Sequence, residues 1–208
     1  MKLALFGATG PTGEELLAQA LAADHELSAF ARRPAAIAPR GRLRIVQGDT
    51  TRDATAVAEA VRGQDAVLST LGVRNSLFPG ELMQRSMANI LPAMEAAGVK
   101  RIVLMSAFGV GASRHDAPLA PRLMYCTFLR AIFDDKEKAE ERLRASSLDW
   151  TIVYPVLLTN GPRTGRYRAG ERLELHGLPT ISRADVAHFM LAETVSPRYL
   201  RKTVVLSY

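Results

Sequence analysis

Short apolar runs alternate along this chain with stretches whose apolar residues recur at helical spacing. The runs that predict strands are Lys2–Phe6, Leu27–Ala31, Leu43–Gln47, Ala66–Thr70, Arg101–Met105 and Trp150–Tyr154. The stretches that predict helices are Glu14–Ala22, Thr55–Val61, Leu82–Ala97 and Glu137–Ala145, the last of them charged and expected to be exposed. Runs that are apolar on both faces, alternating with helices, are typical of a parallel sheet covered on both sides. The pattern therefore predicts an α/β fold with a Rossmann-like, doubly wound parallel sheet.

The pattern loosens after Pro155, where glycine and proline interrupt it. The elements predicted there are a short strand at Leu173–Leu175, a helix from an N-cap at Ser182 through Glu193, and a closing strand at Val204–Leu206. A chain of 208 residues, 48% of them hydrophobic, is long enough to bury one α/β core. We expect a single domain over residues 1–208, with a small substrate-side elaboration at about 156–182.

A glycine-rich turn joins the first predicted strand to the first predicted helix. It reads Gly7-Ala8-Thr9-Gly10-Pro11-Thr12-Gly13, a G-x-x-G-x-x-G spacing. Glycines let the backbone turn tightly and approach a pyrophosphate, and the N-terminus of the next helix offers free N–H groups to the anion. The turn therefore predicts a dinucleotide site made by Gly7, Thr9, Gly10, Pro11, Thr12 and Gly13. The alternative is an ordinary strand–turn–helix connection.

Ligands of a doubly wound sheet bind at the carboxyl ends of its strands, so the residues that leave each strand are candidates. Those assigned to the cofactor are Arg32 and Arg33 after the second strand, Asp49 and Thr50 after the third, Leu71, Gly72 and Arg74 after the fourth, Ser106 after the fifth, and Pro155, Leu157 and Leu158 after the sixth. Arg32 and Arg33 stand where an NAD site usually places an acid, and guanidinium groups suit a 2′-phosphate. This predicts NADP(H) rather than NAD(H).

Two of these candidates have a second interpretation. Asp49 could contact adenine, or it could serve only as a helix cap. Arg74 could bind a phosphate, or it could bind an acidic group of the substrate.

The formal net charge of +6 raises the question of a nucleic-acid partner. The densest basic group consists of Arg32, Arg33, Arg40, Arg42 and Arg44. A phosphorylated cofactor explains part of this group, and a solvated face explains the rest. Aromatic residues do not alternate with the arginines, so we expect no nucleic-acid partner.

The cysteine and histidine content argues against several other kinds of site. Cys126 is the only cysteine, so no intrachain disulfide forms, and the apolar stretch around Ile102–Val110 is too interrupted to span a bilayer. The four histidines lie far apart without ligand spacing, which argues against a metal site. We expect a cytoplasmic monomer without membrane contact, whose partner is a small molecule.

Several of these segments together resemble one family. The glycine turn, Arg32, Gly48-Asp49, Ser106 and Leu148–Pro155 are similar to the atypical short-chain dehydrogenases/reductases of the NAD(P)H-binding group. Within that group, Leu71–Leu77, Ser106–Phe108, Asp134-Asp135, Leu143-Arg144 and Asp185–Leu191 resemble the NADPH-dependent flavin reductases of the biliverdin reductase B type. The resemblance implies hydride transfer from NADPH to biliverdin or to a flavin such as FMN or riboflavin. The flavin would be an acceptor rather than a tightly bound cofactor.

The residues expected to catalyse the reaction depart from the usual pattern of the superfamily. Typical members pair a serine with a tyrosine four residues before a lysine, and the lysine lowers the pKa of the phenol. Lys136 stands at the lysine-like position, but Ile132 occupies the tyrosine position and Tyr125 has the wrong spacing. Alcohol oxidation, epimerisation and dehydration need a proton acceptor at the reacting oxygen, whereas a flavin or tetrapyrrole accepts hydride on a delocalised system. The missing tyrosine therefore favours a planar conjugated acceptor, held face to face with the nicotinamide.

Ser106 and Lys136 are the candidate catalytic residues, and each has an alternative role. Ser106 could orient the nicotinamide or the acceptor, or it could only close a strand end with a backbone hydrogen bond. Lys136 could bind ribose hydroxyls, or it could be one solvated lysine of a charged run. Phe108 could line the substrate pocket with Arg74, or it could belong to the core. Two other functions stay open: an NADP-binding redox sensor without turnover, and an epimerase- or dehydratase-like enzyme.

Overall fold

The computed structural model describes residues 1–38, 41–73, 80–114 and 130–208. The strands are β1 (Lys2–Phe6), β2 (Glu26–Ala31), β3 (Leu43–Gln47), β4 (Ala66–Ser69), β5 (Arg101–Met105), β6 (Asp149–Pro155), β7 (Leu157–Thr159), β8 (Arg168–Gly170), β9 (Thr180–Ser182) and β10 (Lys202–Ser207). The α-helices within the described ranges are α1 (Pro11–Ala22), α2 (Ala54–Val61), α3 (Leu82–Ala97), α4 (Arg130–Ala145) and α5 (Arg183–Val195). The elements expected before Pro155 are present, and α4 differs most, because it already includes Arg130 rather than beginning at Glu137.

A sheet of eight strands forms the centre of the fold, in the order β3-β2-β1-β4-β5-β6-β10-β8. The pairs from β3 to β10 are parallel, and β8 runs antiparallel to β10. The chain winds outward from β1 to β3 and then places β4 on the other side of β1. In such a sheet the ligand crevice lies at this reversal, outside the carboxyl ends of the strands. The predicted doubly wound, Rossmann-like fold is confirmed.

Helices cover both faces of the sheet, which explains why its strands are apolar at nearly every position. Ile102 and Val103 are consecutive residues of β5 and therefore point to opposite faces, yet neither has any exposed area. Helices α1 and α5 pack together, as do α2 with α3 and α3 with α4. Right-handed crossovers place the α1 pair and the α3 group on opposite faces of the sheet. The hydrophobic core is therefore divided into two layers by the sheet.

The segment after β6 departs from the sequence prediction. Leu173–Leu175 is not a strand. Arg168–Gly170 instead forms the edge strand β8, and β7 pairs with β9 in a separate two-stranded sheet. Each of these strands is only three residues long, and each pairs with a partner distant in sequence. A local hydrophobic pattern therefore carries little information about them.

Asp185 connects this segment to the body of the protein. The predicted N-cap of α5 is confirmed, because Ser182 Oγ accepts the N–H of Asp185 at 3.0 Å. The Asp185 carboxylate accepts the N–H groups of Thr164 and Gly165 at 2.9 and 2.8 Å. It also accepts the hydroxyls of Thr164 and Tyr208 at 2.7 and 2.8 Å. Burial raises the pKa of this carboxyl, but the hydrogen bonds outweigh burial and hold its pKa below the ordinary value.

Asp185→Asn should lower the free energy of unfolding by about 1–3 kcal/mol, because one amide oxygen cannot accept all four hydrogen bonds. The lowered pKa makes the carboxylate stabilise the fold above the ordinary pKa of aspartate, and this contribution is lost as the pH falls through the lowered value. Urea unfolding at several pH values therefore checks whether the deficit of the variant shrinks in acid. The exposed Glu15→Gln is the control and should leave stability unchanged. A deficit independent of pH would contradict the assignment.

Candidate active site

Two glycines of the glycine turn are required by the protein itself. Gly7 has a φ of +88°, in the left-handed region that favours glycine. A Cβ on Gly13 would lie 2.0 Å from the carbonyl oxygen of Gly7, so no larger residue fits there without a shift of the backbone. The first turn of α1 consequently lies directly against the carboxyl end of β1.

Gly10 differs from these two glycines, because its described surroundings leave room for a side chain. A Cβ there would meet only the Gly7 oxygen, at 3.4 Å. Gly10 is the N-cap of α1, and no described side chain caps this helix. Pro11 has no N–H, so the N–H groups of Thr12 and Gly13 are the ones left for an anion at the helix N-terminus. The open backbone at Gly10 therefore fits a pyrophosphate that lies across the turn.

Gly10→Val should leave the protein folded and abolish NADPH binding, because the branched side chain would occupy the place of the pyrophosphate. Gly13→Ala should instead destabilise the fold by about 1–3 kcal/mol or more, since its methyl group would overlap the Gly7 carbonyl. Thermal unfolding and the fluorescence of bound NADPH measure the two effects separately. Retained NADPH binding by folded Gly10→Val would show that the turn is not the phosphate site.

The basic group divides into paired and unpaired arginines. Arg44 forms an ion pair with Glu59, and Arg42 lies 4.0 Å from the Asp24 carboxylate. Arg32 and Arg33 directly follow β2, and both are exposed. Arg40 lies outside the described residues. In the described part of the chain, neither Arg32 nor Arg33 has an ion-pair partner.

Asp49 has a structural role at the end of β3. Its Oδ1 accepts the N–H of Thr51 at 2.9 Å and the Thr51 hydroxyl at 2.7 Å. These hydrogen bonds lower the pKa of the Asp49 carboxyl, and the nearby Arg32 contributes. Asp53, rather than Asp49, is the N-cap of α2. Asp49 therefore stabilises a turn, and its contact with adenine stays a prediction.

Thr50 is committed to packing against α3. Its Oγ1 lies 2.8 Å from Ser86 Oγ, and its carbonyl oxygen accepts the Asn89 side chain at 2.8 Å. Only 6% of Thr50 is exposed. The structure therefore favours a structural role for its side chain over the predicted cofactor contact.

Some of the other strand-end candidates lie within the described residues and some lie outside them. Leu71 is half-buried, and Gly72 is exposed with open space around the position of a Cβ. Pro155, the last residue of β6, is buried, whereas in β7 Leu157 is 54% exposed and Leu158 is half-buried. The sequence candidates that lie outside the described residues are Arg74, Asn75, Leu77, His115, Tyr125 and Cys126.

Phe108 belongs to the core. It is 8% exposed, and its N–H donates to the carbonyl oxygen of Pro155 at 3.1 Å. The described contacts therefore support the core interpretation rather than the pocket wall that we predicted. The apolar side chain that is exposed at this edge is Leu157.

A buried hydrogen-bonded cluster lies at the carboxyl ends of β5 and β6. Ser106 Oγ lies 2.5 Å from Glu140 Oε1, and Tyr154 OH lies 2.5 Å from Glu140 Oε2. Arg144 donates to the same Oε2 at 3.0 Å and to the Tyr154 oxygen at 3.3 Å. The N–H of Ser106 also donates to the carbonyl oxygen of Val153 at 2.8 Å. Ser106 thus closes the strand end with its backbone and binds Glu140 with its side chain.

Burial dominates the titration of this cluster. It raises the pKa of Glu140 above the ordinary value, although the hydrogen bonds from Ser106, Tyr154 and Arg144 act in the opposite direction. Burial and the adjacent Glu140 carboxylate also raise the pKa of the Tyr154 phenol. A catalytic tyrosine of this superfamily needs a lowered pKa, so Tyr154 does not replace the missing phenol.

Helix α4 is charged, and the predicted exposure holds for only one of its faces, which includes Lys138, Glu141 and Arg142. On the other face, Lys136 is 8% exposed and Glu140 is 2% exposed. Asp135 is also buried, and it accepts the N–H groups of Met83 and Gln84 at the start of α3. The two buried carboxyl groups are thus hydrogen-bonded to a neighbouring helix end and to residues at the edge of the sheet. Hydropathy alone assigns such charges to solvent.

Lys136 is therefore not the solvated lysine of the alternative interpretation. Burial lowers the pKa of its amine, while Glu140 and Asp135 partly oppose this effect. Within the described ranges, its amine makes no hydrogen bond or ion pair. A buried amine without a protein partner fits the predicted role in binding ribose hydroxyls.

Sequence reasoning missed Glu140 and Tyr154. The spacing of Lys136, Glu140 and Arg144 at i, i+4 and i+8 places them on one face of α4 and was the available signal. Tyr154 lies on β6, after the helix in sequence. Its position close to Ser106 depends on the register between two strands, which the sequence alone does not give. Within the described ranges, the helices are too short or too polar to cross a bilayer, and no three potential metal ligands come together.

Comparison with known proteins identifies the family. Residues 7–197 match the family model described as NAD(P)H-binding. The chain belongs to this NAD(P)H-binding family. Proteins described as reductases are among its relatives, as expected in a family of NAD(P)H-dependent oxidoreductases. The match begins at Gly7, the first glycine of the turn.

Individual relatives cover nearly the whole chain. YhfK of Bacillus subtilis (strain 168), an uncharacterised sugar epimerase, is 30% identical over 92% of this chain and 87% of its own length. The structure of ChuY from Escherichia coli O157:H7, an anaerobillin reductase, is 27% identical, with a TM-score of 0.83 over 99% of this chain and 96% of that one. A short-chain dehydrogenase/reductase from Veillonella parvula in complex with NADP shares the fold, with 19% identity and a TM-score of 0.81 over 100% and 94% of the two chains.

Proposed function

We propose that this protein is an NADPH-dependent reductase of planar conjugated acceptors, either a flavin such as FMN or riboflavin or a linear tetrapyrrole such as biliverdin. The observation that carries the proposal concerns Tyr154, whose phenol binds the same Glu140 carboxyl group as Ser106 does. Tyr154 is bound to Glu140 and has a raised pKa, and Ile132 occupies the usual tyrosine position. Carbonyl chemistry needs an acidic phenol, whereas hydride transfer to a delocalised ring system does not.

The comparisons support this proposal more than its alternatives. ChuY, a reductase of a tetrapyrrole, matches the chain from end to end at 27% identity. The similarity to YhfK keeps an epimerase-like enzyme as the second candidate. Epimerisation also requires a proton acceptor at the reacting oxygen, and the described phenol of Tyr154 is held protonated.

The unpaired arginines after β2 support NADPH as the reductant. Arg32 and Arg33 are exposed at the same end of the sheet as the glycine turn, and no described carboxylate forms an ion pair with them. Two free guanidinium groups at the position of the adenosine ribose would bind a 2′-phosphate through charge-assisted hydrogen bonds. NADH has no such phosphate.

Replacing both Arg32 and Arg33 by alanine should weaken NADPH binding much more than NADH binding. Each charge-assisted contact to the phosphate is worth about 1.5–3 kcal/mol. Calorimetry with both cofactors measures the change. The matched control is Arg42→Ala with Arg44→Ala, which removes two arginines of the same basic group that already have partners. Equal affinity of the wild type for NADPH and NADH would overturn the assignment.

Oxidation of NADPH by the purified protein tests the function itself, with FMN, riboflavin, biliverdin and quinones as acceptors. We expect turnover with a flavin or with biliverdin and none with sugar nucleotides. NADPH binding without oxidation by any acceptor would favour the redox sensor. Conversion of a sugar nucleotide without net NADPH oxidation would favour the epimerase-like enzyme.

A further inference from the structure

The Ser106 hydroxyl has one proton, and Glu140 determines where it points. A hydroxyl donates one hydrogen bond and accepts up to two. When Glu140 is a carboxylate, Ser106 Oγ donates to its Oε1 across 2.5 Å. Ser106 then has no proton to offer to an acceptor at the carboxyl end of β5. It becomes a donor toward that side only when Glu140 carries a proton and donates to Ser106 Oγ.

We propose that Glu140 holds the proton that accompanies hydride transfer and delivers it through Ser106. This inference rests on the proposed function, because reduction of a flavin or a tetrapyrrole by NADPH consumes one proton. The nicotinamide supplies the hydride, which is two electrons and one hydrogen nucleus. The second hydrogen arrives as a proton, and the hydrogen bond between Glu140 and Ser106 is a route by which the protein can supply it.

The proton transfer breaks two bonds to hydrogen and forms two. The Ser106 Oγ–H bond breaks as its proton moves to a basic atom of the reduced acceptor. A new Oγ–H bond forms as the Glu140 Oε1 proton moves to Ser106, so the serine is unchanged. Glu140 becomes a carboxylate, which Arg144 and Tyr154 stabilise by their hydrogen bonds to Oε2. A hydronium ion from solvent then returns one proton to Glu140 and leaves as water, which accounts for the one proton consumed per turnover.

A groove of about 310 Å³ lies against the cluster, and both Glu140 and Tyr154 line it, whereas Ser106 does not. The other charged residues that line it are Glu137, Glu141, Arg144, Glu171 and Arg172. Glu140 therefore contacts Ser106 with Oε1 and also borders a groove through which solvent can return a proton to it.

The charges around Glu140 suit a group that changes its protonation state. Arg144 and Lys136 on α4 favour its carboxylate, Tyr154 on β6 and Ser106 directly after β5 donate to it, and burial opposes its charge. Burial is the largest of these effects, so the pKa of Glu140 lies above its ordinary value. Tyr154 and Arg144 are positioning residues, since they hold Oε2 and leave Oε1 directed at Ser106.

Infrared difference spectroscopy of the protein without cofactor tests the proton store directly. A pH titration of the wild type should show a buried protonated carboxyl band that persists to higher pH than an ordinary glutamic acid. The band should be absent in Glu140→Gln, which keeps the shape of the side chain. The exposed Glu95→Gln on α3 is the control and should retain it. Absence of the band from the wild type at every pH would overturn the proposal, whatever the variants do.

Single-turnover oxidation of bound NADPH by FMN or biliverdin tests the delivery step. Glu140→Gln should slow this step about a hundredfold, remove its pH dependence and leave the NADPH dissociation constant unchanged. Tyr154→Phe should shift the pH profile while causing a smaller loss of rate. An unchanged rate and pH profile in folded Glu140→Gln would overturn the proton store. If the wild type reduces neither acceptor while the carboxyl band is present, the proposed function fails instead.

Discussion

The contact between Gly13 and the carbonyl group of Gly7 is the constraint on which the site depends. A Cβ on Gly13 would lie 2.0 Å from that oxygen, so the first turn of α1 can approach the end of β1 only with glycine at this position. The approach leaves the helix N-terminus uncapped by any described side chain, and it leaves the backbone open at Gly10. A tight protein contact thereby leaves a helix N-terminus suited to an anion beside the reversal of strand order between β1 and β4.

In the proposed reductase, helix α4 brings the proposed source of protons, Glu140, to the same edge of the sheet. Burying Glu140 and Lys136 costs free energy, because charged groups lose their hydration. The hydrogen bonds of Ser106, Tyr154 and Arg144 offset this cost for Glu140, whereas Lys136 has no partner within the described residues. Buried ionisable groups with shifted pKa values are typical of functional sites. This part of the helical layer is therefore the candidate site for the proposed chemistry.

Local patterns predict the central sheet, the glycine turn and the N-cap at Ser182, because each depends on residues that are close in sequence. They do not predict β8 and β9, whose pairing partners are far away. They also assign α4 to solvent, because its inward face includes charged residues such as Glu140, whose partners lie on β6 and directly after β5. Ser106 was predicted as a site residue from its place after β5. Its partner Glu140 emerges only when the helix and the strands are placed together.

Transfer of deuterium from the nicotinamide C4 of labelled NADPH tests the central claim most directly, namely that hydride passes straight to a planar conjugated acceptor. The account predicts a primary isotope effect on NADPH oxidation with FMN or biliverdin. It also predicts that the label is retained on carbon in the reduced tetrapyrrole, when biliverdin is the acceptor. Oxidation of NADPH that depends on a carbonyl substrate, with no label transfer to either planar acceptor, would contradict it.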